Sequence, residues 1–427
     1  MKPAQSGIAY SPQRKLRLAY FVTHPIQYQA PLLRRIAQEP DIDLHVFFSS
    51  DHSVRGYLDQ GFGVRVQWDT PLLDGYNYEF LPVLREAKEE KLFASAGPIN
   101  RGIRRRLKEG QFDAIWLHGY NYLSNLQAIR VAHSLGIPVL LRAESTLHDR
   151  SRSSAKLALK RLFFRYLKPR IAAVLSIGEE NSAYWQHNLG RNIPMFPMHY
   201  AVDNEYFQRQ SAAASSTREE FRASLNLDPA RPVILFAAKL IPRKRCIDIL
   251  EAYLQLAQAR ALQPLPYLLI VGDGELRPAL EARAAQALPD SADPAKAGHS
   301  DIRFLGFRNQ SELPRFYDLC NVFVLASVDE PWGLVINEVM NAARPVIVSD
   351  QVGCHKDLVQ NGINGRVIPA HDISALAESL QTILANPTAA QEMGQASLRI
   401  INDYSFEQNV AGLRQALNAV TPGFSSE

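Results

Sequence analysis

The sequence predicts an α/β chain of two doubly wound units, each a parallel sheet flanked by helices, facing each other across a cleft. Three observations predict it. Apolar runs of strand length alternate with longer runs of helical spacing along most of the chain, the pattern of βαβ units and a parallel sheet. The alternation gives way to an Ala/Ser-rich stretch at 208–217 and starts again at Pro232. At 427 residues the chain also exceeds one ordinary core, because about 150 residues per domain makes two or three domains the expectation.

Composition narrows the class. Apolar and charged fractions of 46% and 21% are ordinary for a globular protein. A net charge of +4 is too weak to argue for nucleic acid. No apolar run approaches the roughly 20 residues that cross a bilayer. Residues 1–15 are polar and lack a signal-peptide core, so they read as a flexible tail. Cys246, Cys320 and Cys354 have no metal-ligand spacing and an odd count, so reduced thiols and a cytoplasmic setting are expected.

In chain order, residues 16–23 read as a first strand, His24 to Pro31 as a polar turn, and Leu32 onward as a helix. Residues 44–48 are a second strand. Residues 51–80, rich in Gly, Asp, Trp and Tyr, lack a period and read as a long excursion. Residues 113–120 are a strand that ends in His118 and a polar turn. Residues 138–141 are another, followed by Arg142 and Glu144, which either face the cleft or pair with each other at its rim. Residues 172–177 are a further strand, with a helix from 178. Two basic stretches stand out. One is 101–108. In the other, Lys156, Lys160, Arg161, Arg165 and Lys168 interleave with Leu159, Leu162, Phe163, Phe164, Tyr166 and Leu167. The second reads either as a helix lying on an anionic membrane or as an ordinary surface helix packed on the sheet.

The second half repeats the pattern. Strand 232–238 runs into a basic turn carrying Lys239 and Lys244, then a helix over 247–259. Cations at the mouth of such a turn suit phosphates. A strand from Tyr267 ends in Gly272-Asp273-Gly274. The dinucleotide fingerprint is incomplete there, since Arg277 stands where its third glycine belongs. Residues 288–300 read as a surface insertion, 302–307 as a strand-turn ending at Phe307, and 309–319 as a helix. Then comes the stretch on which the functional reading turns. An apolar run at 322–326 leads through a polar turn to Gly333, after which Leu334, Val335, Val339 and Ala342 take helical spacing. Glu330 precedes the helix and Glu338 lies about one and a half turns into it. Ligands of open α/β sheets bind where strand C-termini meet helix N-termini. A helix N-terminus suits a phosphate, and Gly333 lets backbone approach it. The implied pocket holds a phosphate flanked by sugars. A strand at 346–349, a turn to Asp357 with Cys354 as a packed thiol, a tight turn at 361–365 and two or three amphipathic helices over 374–420 complete the chain.

Glu330-Pro331-Trp332-Gly333-Leu334-Val335-Ile336-Asn337-Glu338 resembles the E-x7-E signature of the retaining family 4 glycosyltransferases of GT-B fold. The resemblance implies two Rossmann-like domains and transfer of a sugar from an NDP-sugar, UDP- or GDP-linked, with retention and without a metal or other cofactor. It implies Lys239 and Lys244 on the donor diphosphate, and Glu330 and His118 at the transferred sugar. Glu338, Trp332, Gly333, Leu334, Gly272, Gly274 and Phe307 are implied around the donor. The first strand-to-helix loop lacks the family's glycines. His24, Gln27 and Tyr28 stand there and, with Glu144, are expected on the acceptor side, unless the loop is merely structural. The resemblance divides the chain into the tail 1–15, a first domain 16–207, a linker 208–230, a second domain 231–405, and a helix 406–427 that returns to the first domain.

The acceptor is expected to be a saccharide or a lipid-linked saccharide of cell-envelope polysaccharide or glycolipid synthesis. The basic stretches leave open a peripheral contact with the inner face of the cytoplasmic membrane. The other reading of the same architecture is a sugar-nucleotide epimerase. Lys244→Ala is expected to cut transfer by orders of magnitude and to leave thermal stability nearly unchanged.

Overall fold

The computed structural model describes residues 14–85, 97–147, 154–288 and 301–421. Most of the expected tail and nearly all of the expected insertion at 288–300 lie outside the described residues.

The first sheet has seven strands: β1 Leu16–Val22, β2 Ile42–Phe48, β3 Asn77–Phe80, β4 Ala114–His118, β5 Val139–Arg142, β6 Ala173–Ser176 and β7 Met195–Pro197. They pair in parallel in the order β7-β6-β5-β4-β1-β2-β3. The second has six: β8 Val233–Ala237, β9 Tyr267–Val271, β10 Ile302–Phe304, β11 Val322–Leu325, β12 Val346–Ser349 and β13 Gly365–Ile368. These are also parallel, in the order β10-β9-β8-β11-β12-β13. Each sheet therefore reverses its strand order beside its own first strand, and the doubly wound, two-domain GT-B expectation holds. The strands read as unbroken apolar runs because both faces are covered. In β1, Leu18, Tyr20 and Val22 join one core while Ala19 and Phe21 join the other. In β8, Val233 and Leu235 join one and Ile234 and Phe236 the other.

The Ala/Ser-rich stretch 208–217, expected as irregular chain, is helical, and the short helix expected from Arg218 is present. Asp203 caps the helix Asn204–Ser216 by accepting the Tyr206 N–H at 2.9 Å, and a second helix, Arg218–Ser224, follows. The Ala-rich run is a strong helix former once capped, and Phe207 and Ser211 anchor it inward. Phe207, with Ile177, Tyr200 and Val202, belongs to a core otherwise built from the second domain. The domains thus share packed side chains beneath the cleft.

The C-terminal helix Phe406–Val420 packs on the first domain. Ser405 opens it with a capping box. Val410, Leu413, Ala416 and Leu417 enter the core with Leu18, Tyr20 and Leu33. Full burial of a Leu or Val contributes about 1.5–3 kcal/mol. The rim ion pairs, Arg35 with Glu407 at 2.7 Å and Arg414 with Asp41 at 2.6 Å, contribute at most about 1 kcal/mol each. The apolar face therefore holds the helix, and the charges set its register.

The excursion at 51–80 contains a small hairpin, Tyr57–Asp59 with Val64–Val66, and then β3. It reaches the second domain: Asn309 donates to the Gln67 carbonyl at 2.8 Å, and the Ser311 N–H reaches Asp69 at 3.2 Å.

Candidate active site

The second domain's switch point lies between β8 and β11, where crevices of open α/β sheets bind ligands. The chain leaving β8 makes a single 3-10 turn, Pro242–Lys244, closed by Arg245 at φ 51°. Arg245 stabilises that left-handed turn by pairing with Asp248 at 2.6 Å. The Val328 N–H donates to the Arg243 carbonyl at 2.8 Å, tying this turn to the one after β11. The tie brings Glu330 against two cations. Its carboxylate accepts from the Lys244 ammonium and, at 3.0 Å, from the Arg243 guanidinium. Glu330 is 8% exposed. Burial pulls the Lys244 ammonium below its ordinary value, Glu330 pulls it back up, and Arg243 and Lys239 lower it again. Lys239 and Lys244 are therefore close enough to act on each other, although each is held by its own carboxylate, Asp59 and Glu330.

Lys239 has a partner that the sequence did not suggest. Its ammonium lies 2.7 and 2.8 Å from the two oxygens of Asp59 and 4.8 Å from the centre of the Phe62 ring. Asp59 also accepts the Gly61 and Phe62 N–H groups at 2.9 and 3.0 Å. Phe62 meets Phe307 edge to face at 4.8 Å. The tip of the first-domain hairpin thus covers Lys239 and Phe307, two residues expected at the donor.

Gly272 and Gly274 sit at φ 132° and 153°. A Cβ at Gly272 would overlap the Ala238 carbonyl oxygen, and one at Gly274 would lie 2.6 Å from the Leu240 carbonyl oxygen. Both glycines are thus required by the close pass of the basic loop itself. Gly333, at φ 94°, caps the helix Leu334–Met340. Leu334 opens that helix, half-buried against the second-domain core. Glu338 accepts a hydrogen bond from the Tyr317 hydroxyl at 2.5 Å, and burial raises its carboxyl to about 7. Trp332 does not face the crevice. It is 3% exposed, donates its indole N–H to Asn337 at 2.8 Å, and packs where a side chain on Gly178 of the first domain would have to go. Asn337 in turn donates to the Tyr200 carbonyl at 3.0 Å. Trp332 is corrected from donor contact to domain-joining wedge. Asp357 joins the domains too, accepting the Glu179 N–H at 3.1 Å.

The first domain's switch point supplies the facing wall. Tyr20 donates to Gln29 at 2.6 Å, and the Gln29 amide lies 3.2 Å from the His118 ring. Glu144 lies 3.7 Å from His118 Nε2 and accepts from the Tyr28 hydroxyl at 2.9 Å and from the Tyr200 hydroxyl. Burial pushes the Glu144 carboxyl up, but His118, Tyr200 and Tyr28 outweigh it and bring it down to about 2. Glu144 is thus a fixed anion. Arg142 does not pair with it. Arg142 is 1% exposed, donates to the Met198 carbonyl at 2.8 Å, and stacks 4.7 Å over Tyr200. His24 lies 4.4 Å from His52, and burial lowers its ring to about 3, so it is neutral. Gln27 is half-buried on the same loop. Among the described residues no group of three His, Cys, Asp or Glu side chains is placed to hold a metal.

The structure therefore brings Lys239, Lys244 and Glu330 together at the second switch point, with Gly333 and Glu338 on the helix that follows Glu330, and gathers His118, Tyr28 and Glu144 in a separate first-domain cluster. Arg243, Tyr317, Tyr200, Asp59 and Phe62 were missed. Arg243 adjoins Lys244 in the same basic turn, a legible signal. Tyr200 and Asp59 carry none, because only the fold brings them close.

This architecture is that of the GT-B glycosyltransferases. Residues 217–399 match the model of the family described as "Glycosyl transferases group 1", so the second domain is the matched part of the chain. The chain is 28% identical over 190 residues to alpha-D-kanosaminyltransferase of Streptomyces kanamyceticus, covering 44% of this chain and 45% of that protein. It is 26% identical over 212 residues to D-inositol 3-phosphate glycosyltransferase of Rhodococcus erythropolis, covering 49% and 46%. The matches span less than half the length of these relatives. Among solved structures, a glycosyltransferase from Rickettsia africae superposes with a TM-score of 0.71 at 13% identity, covering 96% of this chain and 100% of that one. Anabaena HepE in complex with UDP and glucose gives 0.67 at 15%, covering 95% and 100%.

Proposed function

We propose that this chain is a retaining glycosyltransferase that moves a sugar from an NDP-sugar to a saccharide or lipid-linked acceptor without a metal. The observation that carries it is the convergence of Lys239, Lys244 and Glu330 at the second switch point, facing the His118–Glu144–Tyr200 wall. Breaking the bond from the anomeric carbon to the β-phosphate oxygen leaves a diphosphate that must be stabilised. Preorganised cations in a water-poor crevice do this well. In this reading Lys244 and Lys239 hold the diphosphate, Glu330 orients Lys244 and touches the donor sugar, and Glu338 accepts from the ribose hydroxyls. The diphosphate takes the place of Asp59 on Lys239. The Gly333–Leu334 backbone meets phosphate or sugar oxygens, and Phe307 flanks the base.

The acceptor oxygen attacks the anomeric carbon from the face the phosphate leaves. Its proton passes to the departing phosphate oxygen. Glu144, ionised down to about pH 2, is too weak a base for that proton and instead orients acceptor hydroxyls with Tyr28 and His118. A UDP-linked donor is favoured first, since UDP is the nucleotide bound in HepE. The epimerase reading has no feature of its own, and the relatives above carry transferase names. A thermal-shift screen over UDP-, GDP- and ADP-sugars, followed by product anomer analysis with saccharide acceptors, tests the proposal. Free epimerised NDP-sugar without a glycoside product would replace it with the epimerase.

A further inference from the structure

The helix Ser154–Leu167 presents a face that nothing in the described structure covers. Phe164 and Leu167 are its buried residues. On the far side, Ala155, Leu159, Leu162 and Tyr166 follow one another at spacings of four, three and four, which lines them up along one helical stripe. Leu159 and Leu162 are 68% and 64% exposed. Isolated exposed leucines are ordinary, but an aligned apolar stripe on a helix already anchored by its other face is a contact surface.

The charge pattern says what kind of surface. Residues 154–170 carry Lys156, Lys160, Arg161, Arg165, Lys168 and Arg170 and no acidic residue. Lys156 borders the stripe on one side, Arg161 and Arg165 on the other, and all three are exposed. No ion pair among the described residues involves them. Lys160 turns inward, its ammonium 4.5 Å above the Tyr184 ring. The Arg170 guanidinium lies 3.8 Å over Tyr166, joining an aromatic ring to a cation at the stripe's end. A second copy is a poor occupant, because pairing the stripes would set the three cations that flank each one, Lys156, Arg161 and Arg165, against the same three. An anionic bilayer satisfies both features, since its acyl boundary takes leucines while its headgroups take the flanking cations. We propose that this helix docks the first domain on anionic lipid membranes, with Leu159, Leu162 and Tyr166 entering the interface and Arg161, Arg165 and Lys156 meeting headgroup phosphates.

The helix is coupled to the cleft. Tyr120, two residues past His118, rests on Phe163 and Phe164 at 5.8 and 5.7 Å and bonds Ser145, the neighbour of Glu144, at 3.1 Å. Docking therefore sets the acceptor wall close to the membrane plane. The inference rests on the helix itself and stands or falls apart from the donor assignment.

Flotation of the full chain with phosphatidylglycerol/phosphatidylcholine vesicles and with pure phosphatidylcholine vesicles tests it. Binding is expected to the anionic vesicles alone and to weaken at high salt. Arg161→Glu/Arg165→Glu and Leu159→Glu/Leu162→Glu should each lower partitioning by about tenfold or more, with melting temperatures unchanged because all four side chains are exposed. Absence of binding to anionic vesicles at low salt overturns the proposal. So does binding that both double variants retain. A dimer in sedimentation that Leu159→Glu/Leu162→Glu dissolves, with no vesicle binding, assigns the stripe to self-association instead.

Discussion

Glu338 offers the sharpest test, because its burial makes a stability prediction and its position a functional one. Replace it with Gln. The native carboxyl titrates at about 7 against an ordinary 4.5, and burial is the main cause. A raised carboxyl contributes stability that is fully present below the unfolded value and is lost as pH rises through the folded value. The wild type therefore loses stability between about pH 4.5 and 7. The shift corresponds to at most about 3.5 kcal/mol, less to the extent that the half-buried side chain reaches water. Gln is neutral at every pH and still offers Tyr317 an acceptor. At pH 5 the variant should melt only slightly higher, because less than about 1 kcal/mol has been lost there. At pH 8 the variant should melt several degrees higher, at roughly 2–4 °C per kcal/mol. Function should move the other way. Removing a charged acceptor for ribose hydroxyls should weaken UDP binding roughly tenfold or more, from about 1.5–3 kcal/mol for such a hydrogen bond. Scanning calorimetry at the two pH values and titration calorimetry with UDP read both. Equal stabilisation at pH 5 and 8 would refute the burial argument. Stabilisation at pH 8 with unchanged UDP affinity would remove Glu338 from the pocket.

Lys244→Ala should lower turnover at least a hundredfold, within the range found when one preorganised electrostatic group is removed. It should also lower the melting temperature, because the buried Glu330 keeps Arg243 alone, at a cost of about 1–3 kcal/mol. That replaces the sequence-based expectation of unchanged stability, and unchanged turnover would remove the lysine from the site. Asp59→Ala should tighten UDP about fivefold, since the ligand no longer displaces a partly exposed ion pair of up to about 1 kcal/mol; weaker binding by calorimetry would make Asp59 part of the nucleotide site. Gly412→Ala would drive a Cβ into the Pro197 carbonyl and lift the C-terminal helix from β7, so the melting temperature should fall by an amount matching about 2 kcal/mol or more while the crevice residues stay in place.

Much of the site was legible because one local unit carries it. Strand, turn, Gly333 and helix lie within residues 322–340, and the identities of Glu330 and Glu338 follow from their place in that unit. Lys239 and Lys244 were legible for the same reason, as a basic turn at the end of a strand. Trp332 shows the limit. Its neighbours in sequence face the crevice, yet its indole faces Gly178, because a side chain's direction in a turn depends on backbone angles and on what packs against it. The stretch at 208–217 misled by composition: Ala and Ser read as a linker, while Asp203 as cap and Phe207 as anchor make it a helix. The excursion at 51–80 has no period, so nothing local could announce that its hairpin tip reaches Lys239.

The sequence alone determined two parallel-sheet domains, the β11 turn and its helix, and the basic loop, since each depends on residues near one another along the chain. The tertiary structure decided which groups those residues meet. Asp59 on Lys239, Tyr317 under Glu338, the Tyr28–Tyr200–Glu144 cluster and the uncovered face of helix Ser154–Leu167 all arise between segments far apart in sequence, and their protonation and exposure follow from packing that no local pattern encodes.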